Sequence, residues 1–549
     1  MQYHYCRGDK YEDHLFQILE ENSYMNRILQ PLLVSLLSIS SIFLPLSLPA
    51  STLVDANSTG LANSSPNLTQ SVTTSAAAKP PSTFSFTLQH RFKNGNLLPK
   101  EKIAIPFDKV SQQPWVLLEA IKQNFSKHLE KQPKPVQLDT EIEFLLSTEL
   151  TKIFGTLPKL SIQTRVDDNG TGASQLVIPA DKRKITKANK IEQTSVDWKG
   201  LNGLLTFTNQ FQAINSQFDF GGLKVTTNQG SSFSWDATTF QGLFDADLRP
   251  SQLDLKLPLL KIQQDDNNYA LLQTLGFQFD SETTLQGLEL GNIKLNIGHL
   301  GFTEENSKFS LDNLQITSNA QEQDQLINYG VHTQIGNLSL PNTWLNQELG
   351  INYLSNLVFR RLDANALLAL QKTARDMKGQ NNPTVIGIAL FAKLMEVAPK
   401  LLAQSPEMAL TQFVLKTSQG NLEGNLNLRI DGNKATSLEP AVLMPALQAQ
   451  SKFTLSKNLF EQLLMSSWLI NLREQVEKSN NNKEITESVL ADIKKQARAK
   501  TQQQIQKFLE QKWLVKTKEG NYRFVAQLQD NKLMVNGQEK PFSLTPNKP

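Results

Sequence analysis

The sequence predicts an α+β fold, in which a long antiparallel β-meander forms a curved sheet and amphipathic helices pack in the C-terminal half. Two observations lead to this prediction. Over 84–340, apolar side chains recur at every second position, as at Leu253, Leu255 and Leu257, which places them on one face of a strand. After residue 342 the apolar period changes to that of helices. Such alternation is typical of antiparallel sheet, whose apolar face needs a cover.

Several lobes are expected, because a chain of 549 residues exceeds the size at which a single hydrophobic core stops growing. We predict an N-terminal β-rich lobe over 84–197, the antiparallel β-meander over 198–340 and a mixed α+β lobe over 341–549. Turn-forming residues, such as those at 167–170 and 228–230, separate the predicted strands.

The mixed lobe is predicted to contain helices over 357–378, 384–404, 459–476 and 486–509. The second has the clearest apolar stripe, made of Ile388, Phe391, Met395, Ala398 and Leu402. We expect this stripe to pack on the sheet or on a neighbouring helix, and a lipid-facing amphipathic role is the alternative. Strand alternation returns over 422–430, and the chain closes on a hairpin with strands at 522–528 and 533–535.

The N-terminal residues predict export from a bacterial cytoplasm. Met25 and Arg27 open a short basic region, and an apolar segment rich in Leu, Ile and Ser follows over 28–48. We interpret 1–24 as an extension from an upstream start and 25–56 as a signal peptide or anchor. Cleavage after Ala50 or Ala56 leaves a soluble periplasmic protein, whereas a retained segment tethers it to the inner membrane.

The composition of the chain indicates its compartment and excludes two classes of partner. The region 57–83 is rich in Ser, Thr, Asn and Ala and is predicted to be a disordered linker. Cys6 is the single cysteine and lies upstream of the predicted signal, so the processed chain has no thiol, which fits an oxidising compartment. The formal net charge of +3 argues against a nucleic acid or an acidic polymer as partner.

No catalytic, cofactor-binding or metal site is predicted. The histidines beyond the signal are scattered and lack the helical spacing of a pair of metal ligands; they are His90, His128, His299 and His332. The run 265–268 lacks the ligand spacing of a calcium loop and is interpreted as a polar turn.

Three further charged pairs carry no predicted chemistry. Asp245 and Asp247 lie two apart, on one face of a predicted strand, but nothing marks a substrate pocket around them. The basic pairs at 360–361 and 494–495 lie on predicted helices without clustered aromatic residues, which indicates solvated faces. An enzyme is therefore not expected.

Three segments carry a family resemblance. They are 330–338 (GVHTQIGNL), 357–367 (LVFRRLDANAL) and the C-terminal pattern from Gly520 to Gly537. In this order they resemble the YdgA-like family of bacterial envelope proteins, a family of uncharacterised function. With the meander, the resemblance covers roughly residues 198–540, whereas 84–197 departs from the family pattern. The resemblance implies an envelope location and supplies no catalytic residues.

These observations lead to two hypotheses of function. The first is a non-enzymatic envelope protein, periplasmic or tethered to the inner membrane, whose sheet binds or assembles with an envelope protein or a second copy. The alternative is a carrier of lipid or another amphipathic ligand in an apolar groove of the sheet. An open apolar groove would favour the carrier, and a filled, dry core would argue against it.

Overall fold

A computed structural model describes residues 83–106, 115–145, 158–186, 193–208, 211–265, 267–304, 307–340, 349–377, 383–479 and 486–541. The predicted N-terminal extension, the signal or anchor and all but the last residue of the predicted linker lie outside this part of the chain. The α+β prediction with a long antiparallel meander is confirmed.

The described residues form strands throughout both halves of the chain. The strands are β1 (Thr83–Phe92), β2 (Glu101–Pro106), β3 (Val136–Leu145), β4 (Leu160–Val166), β5 (Gly172–Ile178), β6 (Asp181–Thr186), β7 (Gln193–Trp198), β8 (Leu201–Thr208), β9 (Ala213–Phe220), β10 (Leu223–Thr227), β11 (Ser232–Trp235), β12 (Thr238–Asp245), β13 (Pro250–Gln263), β14 (Tyr269–Thr283), β15 (Glu289–Glu304), β16 (Ser307–Gln323), β17 (Leu326–Leu340), β18 (Leu349–Asp363), β19 (Glu407–Thr417), β20 (Gly420–Ile430), β21 (Leu447–Leu455), β22 (Val515–Lys516), β23 (Tyr522–Gln529), β24 (Lys532–Val535) and β25 (Gln538–Lys540).

Helices interrupt the strands at a few points. They are α1 (Trp115–Leu129), α2 (Ala364–Asp376), α3 (Pro383–Ala403), α4 (Pro440–Ala446), α5 (Lys457–Ser479) and α6 (Glu487–Glu510). The predicted helices over 384–404, 459–476 and 486–509 are confirmed as α3, α5 and α6, with ends shifted by a few residues at most. Helices α1 and α4 are not among the predicted elements.

The chain divides into two compact units. The first contains the described residues up to Pro179 together with Gly203–Ile214 and Asp245–Arg249. Its strands pair in the antiparallel order β2–β1–β3–β4–β5, and β8 pairs with β5. Buried and exposed residues alternate along β4 and over the first seven residues of β3, so one face of this sheet forms a core. That core includes Phe86, Leu88, Leu138 and Ile142, each at most 1% exposed.

The second unit contains Ala180–Asn202, Asn215–Phe244 and the chain from Pro250 onward. Its main sheet runs β6–β7–β10–β11–β13, continues strand by strand from β13 to β21, and ends β23–β24–β25. The strands from β13 to β18 are 14 to 17 residues long, and the sheet is not closed.

The predicted helix over 357–378 is wrong in its first part. Residues up to Asp363 belong to β18, where Leu357 pairs with Leu410 of β19 and with Val331 of β17. The helix begins only after Asp363, whose carboxylate accepts the backbone N–H of Ala366 at 2.8 Å as an N-cap. Consecutive apolar residues at 357–359 fit a buried strand as well as a helix, and the two neighbouring strands decide between them.

The predicted C-terminal hairpin is confirmed. Strands β23 and β24 pair antiparallel, with Gln529 opposite Lys532. Asp530 and Asn531 between them both have positive φ, 48° and 61°. Asp and Asn tolerate this left-handed region better than other side chains, which explains their use in a two-residue turn.

A line of irregular positions crosses the meander from β14 to β17. Thr274 and Asn313 have positive φ, 56° and 53°, which is strained for a β-branched residue such as threonine. A Cβ at Gly298 would lie 3.0 Å from Thr274 Cβ, and one at Gly336 would lie 2.9 Å from Asn313 Cβ. Only glycine therefore fits on the adjacent strand next to each of these two residues, at Gly298 and Gly336. Along β15 the apolar residues over 293–297 occupy odd-numbered positions before this line. Beyond the line they occupy even-numbered positions, beginning at Leu300.

Candidate functional site

Three rows of apolar side chains cross ten strands of the second unit, β13 to β21 and β23. Residues paired directly across an antiparallel sheet share a face, so each row lies on one side. We call these three rows the apolar face. They consist of Leu255, Phe277, Leu295, Ile316, Thr333, Ser355, Phe413, Gly424, Phe453 and Phe524; of Leu253, Phe279, Ile293, Ser318, Val331, Leu357, Leu410, Leu426, Ser451 and Ala526; and of Leu257, Leu275, Ile297, Leu314, Ile335, Tyr353, Leu415, Leu422, Leu455 and Tyr522.

The apolar face contains no charged side chain, and its polar residues are only serines, threonine and tyrosines. At roughly 4.8 Å between strands, ten strands extend for about 43 Å. The apolar face is therefore a long surface that no charged side chain interrupts.

Most of the apolar face is only half-buried. Leu253, Leu257 and Phe279 at its β13 end are at most 8% exposed. In the middle, side chains such as Leu295 and Ile316 keep part of their surface accessible. Apolar surface left in contact with water costs roughly 25 cal/mol per Å² relative to burial. A partly covered face of this length is therefore a candidate binding surface.

The helices of the second unit contribute residues to buried apolar clusters. Helix α2 buries Ala364 and Leu368 against Leu288 and Ile327. Helices α5 and α6 pack on each other through Leu472, Ile493 and Ala497. None of these residues belongs to the three rows. Helix α5 also reaches the β23 end of the apolar face, where Phe460 packs on Tyr522 of the third row with ring centroids 5.3 Å apart.

The opposite face of the same strands is polar. The row between the first two apolar rows runs Asp254, Gln278, Lys294, Thr317, His332, Asn356 and Gln412. Hydrogen bonds connect its neighbours: Gln278 Nε2 donates to Asp254 Oδ2 at 3.1 Å, and Asn356 Nδ2 donates to Gln412 Oε1 at 3.0 Å. His332 Nδ1 hydrogen-bonds Asn356 Oδ1. The sheet thus has one polar side and one apolar side along its length.

A buried polar cluster in the first unit is the other candidate. Here α1 lies over β1 and β3, and His90 of β1 is 1% exposed. His90 Nε2 lies 2.6 Å from Asn124 Oδ1 of α1, and His90 Nδ1 lies 2.7 Å from Thr140 Oγ1 of β3. Asn124 Nδ2 donates to Glu101 Oε2 at 2.8 Å. The chain of bonds therefore connects β1, β2, β3 and α1.

The bond directions assign the tautomer of His90. Asn124 uses its amide N–H on Glu101, so its Oδ1 accepts and His90 Nε2 carries the proton. His90 Nδ1 then accepts the hydroxyl proton of Thr140. Burial lowers the pKa of His90 from its ordinary value, in opposition to the Asn124 hydrogen bond that raises it. His90 is therefore neutral, and each of its ring nitrogens already has a partner.

Glu101 is the charged end of this cluster. Its carboxylate lies 3.2 Å from Lys127 Nζ and 3.0 Å from His128 Nε2. Burial raises the pKa of Glu101, but the hydrogen bonds from Lys127 and His128 outweigh it and hold the pKa below its ordinary value. An ionised carboxylate with three donors is well stabilised, so the arrangement fixes α1 on the sheet.

The cluster corrects one interpretation of the sequence. In the sequence His90 and His128 are scattered, yet their ring centroids lie 5.0 Å apart. The sequence carries no signal for this contact, because it depends on how α1 lies across β1. Within the part of the chain that the structure describes, no group of three or more His, Cys, Asp or Glu side chains is arranged to hold a metal ion.

Other predicted residues occupy structural positions. The prediction of Asp245 and Asp247 on one strand face is wrong, because β12 ends at Asp245. Asp245 Oδ1 accepts the backbone N–H of Asp247 at 2.9 Å and of Arg249 at 2.8 Å, which closes a turn. The polar turn at 265–268 is confirmed for its described residues: Asp265 Oδ1 accepts the N–H of Asn267 at 2.8 Å.

The remaining histidine and basic positions are also engaged within the sheet. His299 Nδ1 lies 2.5 Å from Asp312 Oδ1 on the neighbouring strand. The pair at 360–361 was predicted on a helix and lies on β18 instead. There Arg360 forms an ion pair of 2.7 Å with Glu407, and Arg361 Nε donates to Gln404 O at 2.7 Å. Lys494 and Lys495 lie exposed on α6, as predicted.

None of the described helices, which lie within residues 115–510, is both long and apolar enough to cross a membrane. Helix α3, 21 residues long, contains Lys393, Glu396 and Lys400 in its second half.

Comparison with known proteins gives one match. A family model described as a bacterial protein of unknown function (DUF945) matches residues 224–543, which is more than half of the chain and contains all three rows of the apolar face. The buried cluster around His90 lies outside the matched residues. Searches of curated proteins and of solved structures found no significant match. The chain therefore belongs to the bacterial DUF945 family, through the region that forms its long antiparallel sheet.

Proposed function

We propose that this chain is a non-enzymatic protein of the bacterial envelope that binds the acyl part of a lipid or a similar amphipathic molecule on its apolar face. The half-buried middle of the three rows is the observation that carries this proposal. A sealed core would have left those side chains fully buried, so the half-buried middle supports a surface that a ligand covers.

The chemistry of the face fits an acyl chain. Three rows without a charge allow an extended hydrocarbon to lie along or across the strands, and burial of each CH₂ group contributes about 0.8 kcal/mol. A charged or nucleic-acid partner gains nothing from such a surface. The polar opposite side keeps the sheet solvated while the apolar side is occupied.

The envelope location rests on sequence features. The basic start at Met25, the apolar segment over 28–48 and the segments that resemble the YdgA-like family all support export. The intact mass of chain purified from periplasmic and membrane fractions tests this. The mass of a chain that begins at residue 51 or 57 supports cleavage after Ala50 or Ala56. An uncleaved cytosolic chain would rule out export.

Ligand binding is tested by native mass spectrometry of the full chain purified from envelope fractions, with lipid extraction in parallel. The informative variant is Thr333→Asp, which places a charge in the first apolar row at a position that is already polar. The matched control is Gln334→Asp, the next residue of β17, which is exposed.

We expect the native chain and Gln334→Asp to retain lipid and Thr333→Asp to lose most of it. Far-ultraviolet circular dichroism of both variants checks that the sheet is intact. Lipid-free native chain, or equal lipid content in the two variants, would overturn the proposal.

A further inference from the structure

Helix α3 exposes a stripe of large apolar side chains. Val385 is 42% exposed, Ile388 65%, Phe391 63% and Met395 45%. Their spacing of three or four residues places them on one side of the helix. Residues 383–392 contain no charged side chain. Single exposed apolar residues are ordinary, but a contiguous stripe of this size indicates a contact surface.

The other end of α3 is fixed in the fold. Val397, Ala398 and Leu402 are at most 5% exposed, and Leu402 packs in a cluster with Ala435 and Ala446. The predicted packing of the whole stripe is therefore wrong for Ile388, Phe391 and Met395, and correct for Ala398 and Leu402. The exposed part covers three helical turns, about 15 Å at 1.5 Å per residue.

The hairpin formed by α2 and α3 is also positively charged. Residues 364–403 contain five Lys or Arg and two Asp or Glu. Of these, Lys393 is paired with Glu396, and Arg375 is paired with Glu289 of β15. Lys372 and Lys400 are exposed. An apolar helical stripe in a basic setting is typical of helices that lie in the interface of an anionic membrane.

We propose that the stripe of Val385, Ile388, Phe391 and Met395 docks on the surface of a membrane that contains anionic lipid. The helix lies in the interface, with its apolar side chains among the upper acyl chains and the surrounding lysines near the headgroups. Two copies of this hairpin repel each other by charge, which makes a lipid surface the better occupant. The stripe shares no residue with the apolar face, so the proposal stands apart from the proposed function.

A fluorescent probe at one position tests this docking directly. In the full chain with Cys6→Ser, an environment-sensitive dye is attached at Ile388→Cys, and in a control chain at Ile470→Cys. Ile470 is 60% exposed on α5, so the two sites start from similar exposure. Vesicles of phosphatidylcholine, with or without an equal part of phosphatidylglycerol, are then added.

We expect a blue shift of the dye at position 388 with the mixed vesicles, a weaker one with phosphatidylcholine alone and none at position 470. The shift should decrease as salt is raised, because screening weakens the attraction of the lysines. Because the dye reports its own surroundings, membrane binding by another segment of the chain does not produce this pattern.

A second readout uses flotation of unlabelled chain with the same vesicles. Phe391→Asp should weaken the phosphatidylglycerol-dependent part of binding roughly tenfold, while Ile470→Asp leaves it unchanged. An unshifted dye at position 388 overturns the proposal. Vesicle-independent dimerisation that Phe391→Asp abolishes would instead assign the stripe to self-association.

Discussion

His90 of β1 donates its Nε2 proton to Asn124 Oδ1 of α1 across 2.6 Å, in a position where His90 is 1% exposed. This bond is the inner end of a chain that continues through Asn124 to Glu101 and from there to Lys127 and His128. It explains why α1 keeps one position on the sheet, since apolar packing alone allows a helix to slide or rotate.

Asn124→Ala is expected to destabilise the first unit by about 1–3 kcal/mol, because it leaves the buried His90 N–H and part of the Glu101 carboxylate without a partner. Hydrogen exchange of the α1 amides should increase strongly. The matched control is Gln123→Ala, whose side chain is exposed on the same helix and should change exchange little. Equal exchange in the two variants would show that the chain of bonds does not hold α1.

Acidification is expected to destabilise the first unit. Burial holds the pKa of His90 below its ordinary value of 6.5, so the unfolded chain binds the proton first and the free energy of unfolding decreases as pH falls below about 6.5. Glu101 affects the free energy of unfolding at lower pH, since its pKa lies below its ordinary value of 4.5. Its stabilisation is present above that value and is lost as pH falls through the folded pKa.

The pH effect is measured as the urea midpoint at pH values of about 7.5 and about 5.5, on either side of the ordinary histidine pKa. His90→Gln keeps hydrogen-bonding capacity without a titrating ring, so its midpoint should depend less on pH over this interval, even though the variant is less stable. A native midpoint that is equal at both pH values would contradict the assignment of His90.

Gly424→Val should destabilise the second unit by about 1–3 kcal/mol through overpacking. Gly424 lies between Phe413 and Phe453 in the first apolar row. A Cβ there would approach Phe453 Cδ1 to 2.2 Å and Lys452 O to 2.5 Å. Thermal unfolding measures the loss, and an unchanged melting temperature would mean that the two rings can separate freely.

Gly387→Ala in α3 should have the opposite effect. A Cβ at Gly387 meets nothing within 4 Å, and alanine is favoured over glycine inside a helix by about 1 kcal/mol. We expect a small gain in helicity and stability, detected by circular dichroism and by slower exchange over α3. Destabilisation by this change would indicate that the open side of α3 has an occupant.

Asp363→Ala should fray the start of α2 and cost about 0.5–2 kcal/mol, because the N-cap bond to Ala366 N is lost. Asp363→Asn keeps an acceptor and should recover most of the stability. Exchange of the first-turn amides of α2 provides the measurement. Identical exchange in the alanine and asparagine variants would show that the cap bond is dispensable there.

Much of the candidate binding face could be predicted from residue order. The alternation at Leu253, Leu255 and Leu257, and again at Ile293, Leu295 and Ile297, assigns these side chains to one side of their strands whatever their partners are. The helical period assigns the stripe of α3 in the same way. These features depend only on backbone geometry within one element.

Contacts between elements could not be predicted in this way. Only the pairing of β18 with β17 and β19 shows that Leu357 belongs to a strand, since a short apolar run satisfies both periods. His90 and His128 approach because α1 crosses β1, and no local pattern records such a crossing.

The sequence by itself determined the class of the fold, the apolar and polar sides of its strands, and the features that predict export. The tertiary structure alone decided how those sides are covered: the rows keep a half-buried middle, α3 exposes Ile388 and Phe391, and His90 is sealed under α1. The physical reason is that periodicity is a property of one element, whereas burial depends on which other elements pack against it.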